Sequence, residues 1–272
     1  MKMECHSCSV PETRQATCEL EECERFHTLC RSMNKSGCPT CRMMDRWRGQ
    51  SIPVAFRNAR EFAIEAHGDQ RYGKYPYAYH LDAVAEIIFL GWSNACFGVT
   101  NLYPVSAVDC VGFVPVRGLE EMLILAYLHD VIEDGQVGSV VLLPPFDSKE
   151  SYKSMARGCM NGGIASRFGE RMASLAWLVT DCEGYPRAKR KQDTNEKLRN
   201  VKPEHNAALI VKAADRLANV RFSVKTKDAK SRSMLKRYRA EHEAFRAAAF
   251  RPGLCDPIWE EMDGIMLVEA KK

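Results

Sequence analysis

Apolar residues recur at the three- and four-residue spacing typical of helices along most of the chain after residue 52. The pattern is clearest between Gly118 and Gly135, and its apolar positions are Leu119, Met122, Leu123, Leu125, Ala126 and Leu128. The two glycines are typical of helix boundaries. The pattern therefore predicts a mainly α protein in which 118–135 is a largely buried central helix.

The same spacing predicts further helices on both sides of the central one. They cover 54–67, 77–90, 164–179, 187–200, 207–221 and 231–250, with a short amphipathic piece at 259–268. Glycine, proline and short apolar runs interrupt the pattern at 91–117, where 108–116 is strand-like, and again at 136–163. We expect these two stretches to be irregular insertions.

Four ionisable residues lie in the last turns of the central helix: His129, Asp130, Glu133 and Asp134. Burying charge beside leucine and isoleucine is costly unless the groups are paired or bind a metal. Residues three and four apart share a helix face, which brings His129 next to Glu133, and Asp130 next to both acids. A solvated helix end after a core histidine is the plainer interpretation. We favour a functional site here, because other apolar helices carry a histidine, His80, and an aspartate, Asp215, that could join it.

Composition sets the broad class. The chain has 272 residues, 46% of them hydrophobic and 27% charged, which suits one large domain with room for a small accessory module. No apolar run approaches the ~20 residues that span a bilayer, and the N-terminus lacks the apolar core of a signal peptide. We therefore expect a cytoplasmic protein. The net charge of +4 is mild, but 187–191 and 225–239 are locally basic and suit an anionic substrate or partner.

Seven of the twelve cysteines fall within the first 41 residues. In a reducing compartment such a cluster favours a metal site over disulfides, although unrelated free thiols remain an alternative. Two pairs have the two-residue gap that lets two thiolates reach one tetrahedral zinc ion, and they are Cys5 with Cys8 and Cys38 with Cys41. A second candidate set lies between them: Cys18, Cys23, His27 and Cys30. We predict a zinc module over 1–50 and one catalytic domain over 51–272.

The order of His80, the pair His129-Asp130 and Asp215 resembles the H…HD…D pattern of the HD superfamily of metal-dependent phosphohydrolases. Four local motifs narrow the resemblance: PYAYH at 76–80, LHDVIED at 128–134, VTD at 179–181 and VKAADRLANVR at 211–221. They are similar to the hydrolase domain of the RelA/SpoT homologues, above all the small stand-alone alarmone hydrolases that include the metazoan SpoT homologue. The likeness covers about 52–250 and leaves out 1–50.

That resemblance implies an all-helical HD-domain bundle with one metal ion, usually manganese. It also implies hydrolysis of the 3′-pyrophosphate of guanosine tetra- or pentaphosphate (ppGpp). The residues that match the metal ligands are His80, His129, Asp130 and Asp215. Glu133 and Asp134 match an acidic pair near the attacking water. Asn219 and a basic residue of the loop before Pro76 match positions that contact the substrate.

The chemistry is consistent with these roles. Imidazole and carboxylate ligands suit manganese, iron or zinc. A bound divalent ion lowers the pKa of its water from ~15.7 towards ~7, and Glu133 with Asp134 could move that water's proton. Charge-assisted bonds to phosphate are expected from basic residues near the site, which are Arg71, Lys74 and Lys212, with Arg187 or Lys191 as further candidates.

One loop departs from the family pattern. The usual Arg-Lys pair before a Gly-x-Pro-Tyr turn is here Arg71-Tyr72-Gly73-Lys74, one residue shorter. This departure keeps open a second enzymatic hypothesis, in which an HD phosphohydrolase acts on another nucleotide with a 2′- or 3′-phosphate, or on a dNTP. A third hypothesis belongs to another class, a binding or regulatory protein whose zinc module targets a nucleic acid or protein partner.

Overall fold

The computed structural model describes residues 54–93, 116–135, 149–183 and 186–267. Most of the expected insertion at 91–117 lies outside these residues, and none of the helices in the described ranges is both long enough and apolar enough to cross a membrane.

The predicted zinc module over 1–50 also lies outside the described residues. Both candidate ligand sets fall in this part of the chain: Cys5, Cys8, Cys38 and Cys41 form the first, and Cys18, Cys23, His27 and Cys30 form the second. Zinc binding by these residues stays a prediction from the sequence.

The described residues are mainly helical, which confirms the predicted fold class. The helices are α1 (Val54–His67), α2 (Ala78–Ser93), α3 (Val116–Leu128), α4 (Val131–Asp134), α5 (Lys149–Phe168), α6 (Glu170–Val179), α7 (Arg187–Arg199), α8 (Asn206–Thr226), α9 (Ala229–Ala249) and α10 (Asp256–Leu267). A 3₁₀ turn, Pro203–His205, precedes α8, and a two-stranded hairpin, β1 (Arg71–Tyr72) with β2 (Tyr75–Pro76), joins α1 to α2.

Helix α8 is the centre of the bundle. It packs against α2, α3, α6, α9 and α10, and most of its side chains are buried from Ala207 to Val220. Three of these buried side chains are charged: Lys212, Asp215 and Arg216. Because a buried charge is costly without a partner, each of these residues requires a counter-charge from a neighbouring helix.

Helix α2 is held between α1 and α3 by a buried carboxylate. Arg60 of α1 donates two hydrogen bonds to Asp82, at 2.9 and 3.0 Å, and the Tyr127 hydroxyl of α3 donates a third at 3.3 Å. Leu81, Val84 and Ile88 pack into the core on the same helix. These contacts hold the middle of α2 against both neighbouring helices, and Arg60 supplies two of the three hydrogen bonds.

The polar loop expected at 69–76 forms the hairpin, with Gly73 and Lys74 as its two-residue turn. Gly73 has a φ of +63°, and glycine at the first turn position is typical of a type II′ hairpin. A Cβ atom at Gly73 would lie 2.8 Å from the ring tip of Phe222 on α8. The absence of a side chain at 73 therefore lets the hairpin pack directly on α8.

Two predictions for the helices between 149 and 179 are wrong. The stretch 136–163 was expected to be irregular, but 149–163 form most of α5. Of the paired glycines that suggested irregularity, a Cβ atom at Gly162 would meet nothing within 4 Å, and one at Gly163 would make an ordinary contact of 3.8 Å with the Phe62 ring. The helix predicted over 164–179 is divided at Gly169, whose φ of +88° ends α5 one residue before α6 begins.

Replacing Gly73 by alanine tests the close packing of the hairpin on α8. The left-handed backbone costs a non-glycine residue about 1–2 kcal/mol, and the new Cβ would also displace the Phe222 ring. We expect Gly73→Ala to lower the free energy of unfolding by about 2 kcal/mol in denaturant titration. Gly253→Ala is the control, because Gly253 also has a positive φ but faces open space. An equal loss in both variants would contradict the packing argument.

Candidate metal centre

Four side chains from three parts of the chain meet between α2, α3 and α8. His80, His129, Asp130 and Asp215 each present one ligand atom, and these atoms all lie within 4.8 Å of one another. Asp215 Oδ1 lies 3.2 Å from His80 Nε2, and Asp130 Oδ2 lies 3.0 Å from His129 Nε2. Both imidazoles are almost completely buried. Two imidazoles and two carboxylates at this spacing form a group that could hold a divalent metal ion.

A break in the predicted central helix orients two of these groups. The sequence pattern predicted one helix over 118–135, but α3 ends at Leu128 and α4 begins at Val131. His129 Nδ1 lies 2.7 Å from the carbonyl oxygen of Ala126, one of the last carbonyls of α3. With Nδ1–H donating to that oxygen, Nε2 faces the cluster and carries the lone pair when the imidazole is neutral. A metal-binding histidine is commonly oriented in this way.

The cluster binds protons strongly when no cation neutralises it. Burial alone would lower the pKa of His129, but the carboxylates of Asp130 and Asp215 outweigh burial and raise it to about 10. The same two carboxylates raise the pKa of His80 against the effect of burial. A positive charge is therefore favoured between the carboxylates, which is the environment that a divalent cation requires.

Glu133 and Asp134 lie on α4, three and four residues after Asp130. Glu133 Oε2 accepts a hydrogen bond from the backbone N–H of Asp181 at 3.2 Å, and Asp134 Oδ2 accepts one from Gln70 Nε2, also at 3.2 Å. Burial raises the pKa of both carboxyl groups, assisted by Asp181 at Glu133 and by Asp130 at Asp134. Both groups thus sit beside the cluster with pKa values shifted towards neutrality.

Asp130 and Asp215 are each held by a neutral donor. The Tyr77 hydroxyl donates to Asp130 Oδ2, and the Tyr77 ring stacks on the His67 imidazole with 4.1 Å between centroids. Asn219 Nδ2 donates to Asp215 Oδ1 at 2.6 Å. These contacts orient the carboxylates relative to the two imidazoles.

Lys212, a predicted phosphate-binding residue, is buried and ion-paired in this structure. Its Nζ lies 3.1 Å from Asp181 Oδ1 and 3.7 Å from Asp215 Oδ2. Lys191 forms a salt bridge with the other oxygen of Asp181. Burial alone would lower the pKa of Lys212, but Asp181 and Asp215 together raise it. Lys212 thus connects the cluster of His80, His129, Asp130 and Asp215 to Asp181.

The other two basic residues predicted to bind substrate lie on the hairpin. Arg71 and Lys74 are exposed, and Lys74 Nζ is 5.4 Å from the centre of the Tyr75 ring. Tyr72, which lies between them, stacks on the His80 ring with 4.7 Å between centroids. The hairpin thus contacts the four-residue cluster through Tyr72 and carries two exposed cations.

A cleft of about 780 Å³ opens between α7, α8 and α9. Its charged lining is Arg187, Lys191, Arg199, Arg216 and Arg237 with Glu196 and Glu241. Glu241 accepts two hydrogen bonds from Arg187, at 2.7 and 3.2 Å, and one from Arg216 at 3.2 Å. Lys191 connects the cleft to Asp181 and through it to the metal cluster. The cleft is therefore basic and is linked to the candidate metal centre.

Sequence reasoning gave no role to three residues at this site: Tyr72, Tyr77 and Asp181. Asp181 and Tyr77 lie within motifs that carried the family resemblance, so their positions were marked even though their contacts were not. Tyr72 lies in the loop that departs from the family, and nothing in the local sequence indicates its contact with α8.

Removing the buried cation at 212 tests its structural role. In Lys212→Met, Asp181 loses one of its two lysines and Asp215 loses its nearest ammonium group. Breaking a buried ion pair costs about 3–5 kcal/mol, and we expect a loss of that size in the free energy of unfolding. The control is Lys189→Met, because Lys189 pairs with Asp193 on the exposed surface of α7. In Lys189→Met we expect the free energy of unfolding to change by no more than about 0.5 kcal/mol. Equal losses in both variants would contradict the assigned role.

Manganese binding to the four-residue cluster should release protons. The metal-free His129 is protonated below its pKa of about 10, whereas a metal ligand must be neutral. We therefore expect manganese affinity to rise with pH. At pH 7, calorimetric enthalpies should depend on the ionisation enthalpy of the buffer, as proton release requires. His242→Gln should leave this dependence unchanged, because His242 pairs with Asp263 outside the cluster. Buffer-independent enthalpies would exclude the assignment.

Comparisons with known proteins bear on the fold. No protein-family profile and no curated protein sequence matches the chain. A solved structure does match, that of a metazoan ortholog of SpoT that hydrolyses ppGpp and plays a role in starvation responses. The TM-score is 0.50 at 19% sequence identity, and the match covers 78% of this chain and 98% of the other. The chain therefore shares the fold of that SpoT ortholog, as the resemblance of the sequence motifs predicted.

Proposed function

We propose that this protein is a metal-dependent phosphohydrolase that removes the 3′-pyrophosphate of guanosine tetra- or pentaphosphate. The observation that carries the proposal is the convergence of His80, His129, Asp130 and Asp215, with the acidic pair of α4 beside them. The fold shared with a SpoT ortholog that hydrolyses ppGpp supports the same chemistry.

The four clustered side chains would hold one divalent cation, with manganese as the first candidate. Their two carboxylates balance its charge, and the hydrogen bond from His129 Nδ1 to Ala126 keeps the Nε2 lone pair directed at it. When bound, such an ion lowers the pKa of a coordinated water towards ~7 and withdraws charge from a phosphoryl oxygen.

Glu133 and Asp134 would carry the proton transfers. General acid–base groups act best when their pKa lies near the working pH, and burial raises the pKa of both carboxyl groups in that direction. The backbone N–H of Asp181 orients Glu133, and Gln70 orients Asp134. One of the two takes a proton from the attacking water, and a proton is returned to the 3′-oxygen of the leaving nucleotide.

The basic cleft between α7 and α9 would hold the remaining anionic groups of the substrate, together with Arg71 and Lys74 of the hairpin. Arg216 of the cleft packs on Tyr238, with 4.7 Å between its guanidinium and the ring centre. Lys191 of the cleft shares Asp181 with Lys212, which also pairs with Asp215. A nucleotide with its 3′-phosphates at the centre would therefore place its other phosphates towards the cleft.

A second candidate keeps the same metal centre and chemistry but changes the nucleotide. The shortened loop at 71–74 supports it, because a tyrosine occupies the region where the family pattern has an Arg-Lys pair. The zinc module over 1–50 and its protein or nucleic-acid partners remain a prediction from the sequence.

The deciding experiment is manganese-dependent release of pyrophosphate from guanosine tetraphosphate by the full chain. We expect turnover in the wild type and none in Asp130→Ala, which removes a carboxylate of the metal cluster. Glu133→Gln should lower kcat by about 10²–10⁴-fold, the usual contribution of general acid–base catalysis. Glu261→Gln is the control, because Glu261 pairs with Arg221 on the exposed surface, and its kcat should match that of the wild type.

A folded, manganese-loaded protein that releases no pyrophosphate would exclude ppGpp as the substrate. A panel of 2′- and 3′-phosphorylated nucleotides and dNTPs would then test the second candidate. Turnover that survives in Asp130→Ala would instead exclude the metal centre as the site of catalysis.

A further inference from the structure

The Asp215 carboxylate is held by an amide one turn further along α8. Asn219 Nδ2 donates to Asp215 Oδ1 at 2.6 Å and to the Asp215 carbonyl oxygen at 3.1 Å. The same Oδ1 lies 3.2 Å from His80 Nε2 and 3.7 Å from His129 Nε2. The oxygen that Asn219 holds is therefore the one that faces both imidazoles.

Tyr72 holds the other end of this amide. An ionised aspartate only accepts hydrogen bonds, so Asp215 itself requires the NH₂ group of Asn219 and turns the amide oxygen the other way. That oxygen accepts a hydrogen bond from the Tyr72 hydroxyl at 2.8 Å. A tyrosine hydroxyl can donate or accept, so it does not choose between the two amide orientations. It anchors the amide in the orientation that Asp215 requires, and so keeps the NH₂ group on the carboxylate.

Tyr72 is itself fixed by packing. Its ring lies nearly parallel to the His80 imidazole, with 4.7 Å between centroids and an angle of 24° between planes. Phe222 of α8 packs on it with 4.3 Å between centroids. Tyr72 therefore reaches two of the four clustered residues, His80 through its ring and Asp215 through Asn219.

We propose that Tyr72 is a positioning residue of the metal centre, which holds the Asp215 carboxylate through Asn219 in the orientation that binds a divalent cation. The proposal rests on the proposed function in one respect, because it takes the four-residue cluster as a metal site. It also gives Asn219 a different task from the predicted substrate contact, since the oxygen and the nitrogen of its amide both bond to protein groups.

The test measures metal affinity rather than activity. Tyr72→Phe keeps the ring on His80 and removes only the hydroxyl, and manganese binding is followed by calorimetry on the full chain. Losing an outer hydrogen-bond partner of a metal ligand typically weakens metal affinity about 10–100-fold, and we expect a loss of about tenfold. The predicted thiolate sites of the N-terminal module prefer zinc, so they do not compete for manganese.

Tyr127→Phe is the matched control. It also removes the hydroxyl of a buried tyrosine that donates to a carboxylate, but its partner is Asp82, outside the cluster. Manganese affinity should stay within about twofold of the wild type there, since the ligands and their outer partners are intact. A similar loss in both variants would mean that any buried cavity weakens binding, and would overturn the proposal.

A double-mutant cycle separates action through Asn219 from independent effects. Asn219→Ala should weaken manganese binding about tenfold or more. Adding Tyr72→Phe should weaken it no further, because residues that act through one contact are not additive. Full manganese affinity in Tyr72→Phe, or losses that multiply in the double variant, would overturn the proposal. A wild-type protein that binds no manganese would overturn the proposed metal centre and this inference together.

The steady-state kinetics of Tyr72→Phe also distinguish metal positioning from substrate binding. Because the hydroxyl acts on the metal and not on the nucleotide, saturating manganese should restore kcat in Tyr72→Phe, and KM for the nucleotide should not change. A raised KM with unchanged manganese affinity would assign Tyr72 to substrate binding and overturn the positioning role.

Discussion

Two carboxylates buried side by side are the constraint on which the rest of this structure depends. Asp130 and Asp215 come from different parts of the chain, yet both lie within 3.7 Å of the His129 imidazole. Their mutual repulsion in a low-dielectric interior has to be offset by cations and hydrogen-bond donors. The donors come from Tyr77 between the hairpin and α2, from α2 itself, from the turn after α3 and from α8. Each of these parts of the chain therefore has its position defined by the same charge cluster.

The break between α3 and α4 lets two adjacent residues, His129 and Asp130, direct their side chains into the same cluster. Successive side chains of a continuous helix point about 100° apart, because the helix has about 3.6 residues per turn. Two adjacent residues of a straight helix therefore diverge. In the turn after Leu128, His129 Nε2 and Asp130 Oδ2 instead approach to 3.0 Å. The end of α3 also leaves carbonyl groups free to accept hydrogen bonds from other donors. The carbonyl oxygen of Ala126 accepts one from His129 Nδ1.

The sequence predicted most helices and the set of clustered residues, because both leave local marks: apolar periodicity and short motifs. It did not predict the break after Leu128, since no glycine or proline interrupts the apolar pattern there. Helix α5 was missed for the opposite reason: Gly162 and Gly163 suggested irregularity, although both lie within a continuous helix. The bond from Tyr72 to Asn219 joins residues 147 positions apart. Such a contact depends on how the hairpin packs on α8, which no local pattern encodes.

Charge balance relates the metal centre to the kind of substrate that it suits. A divalent cation neutralises the carboxylates of Asp130 and Asp215, so it leaves most of the charge of a bound phosphate to other groups. Around the cleft, Arg187 and Arg216 share Glu241, while Lys191 shares Asp181 with Lys212, which also pairs with Asp215. The cations that line the cleft outnumber its carboxylates, and such a surface favours an anion nearby. In the proposed function, this lining suits a nucleotide with phosphates at more than one position, because a single phosphate at the metal would leave the cleft without a bound anion.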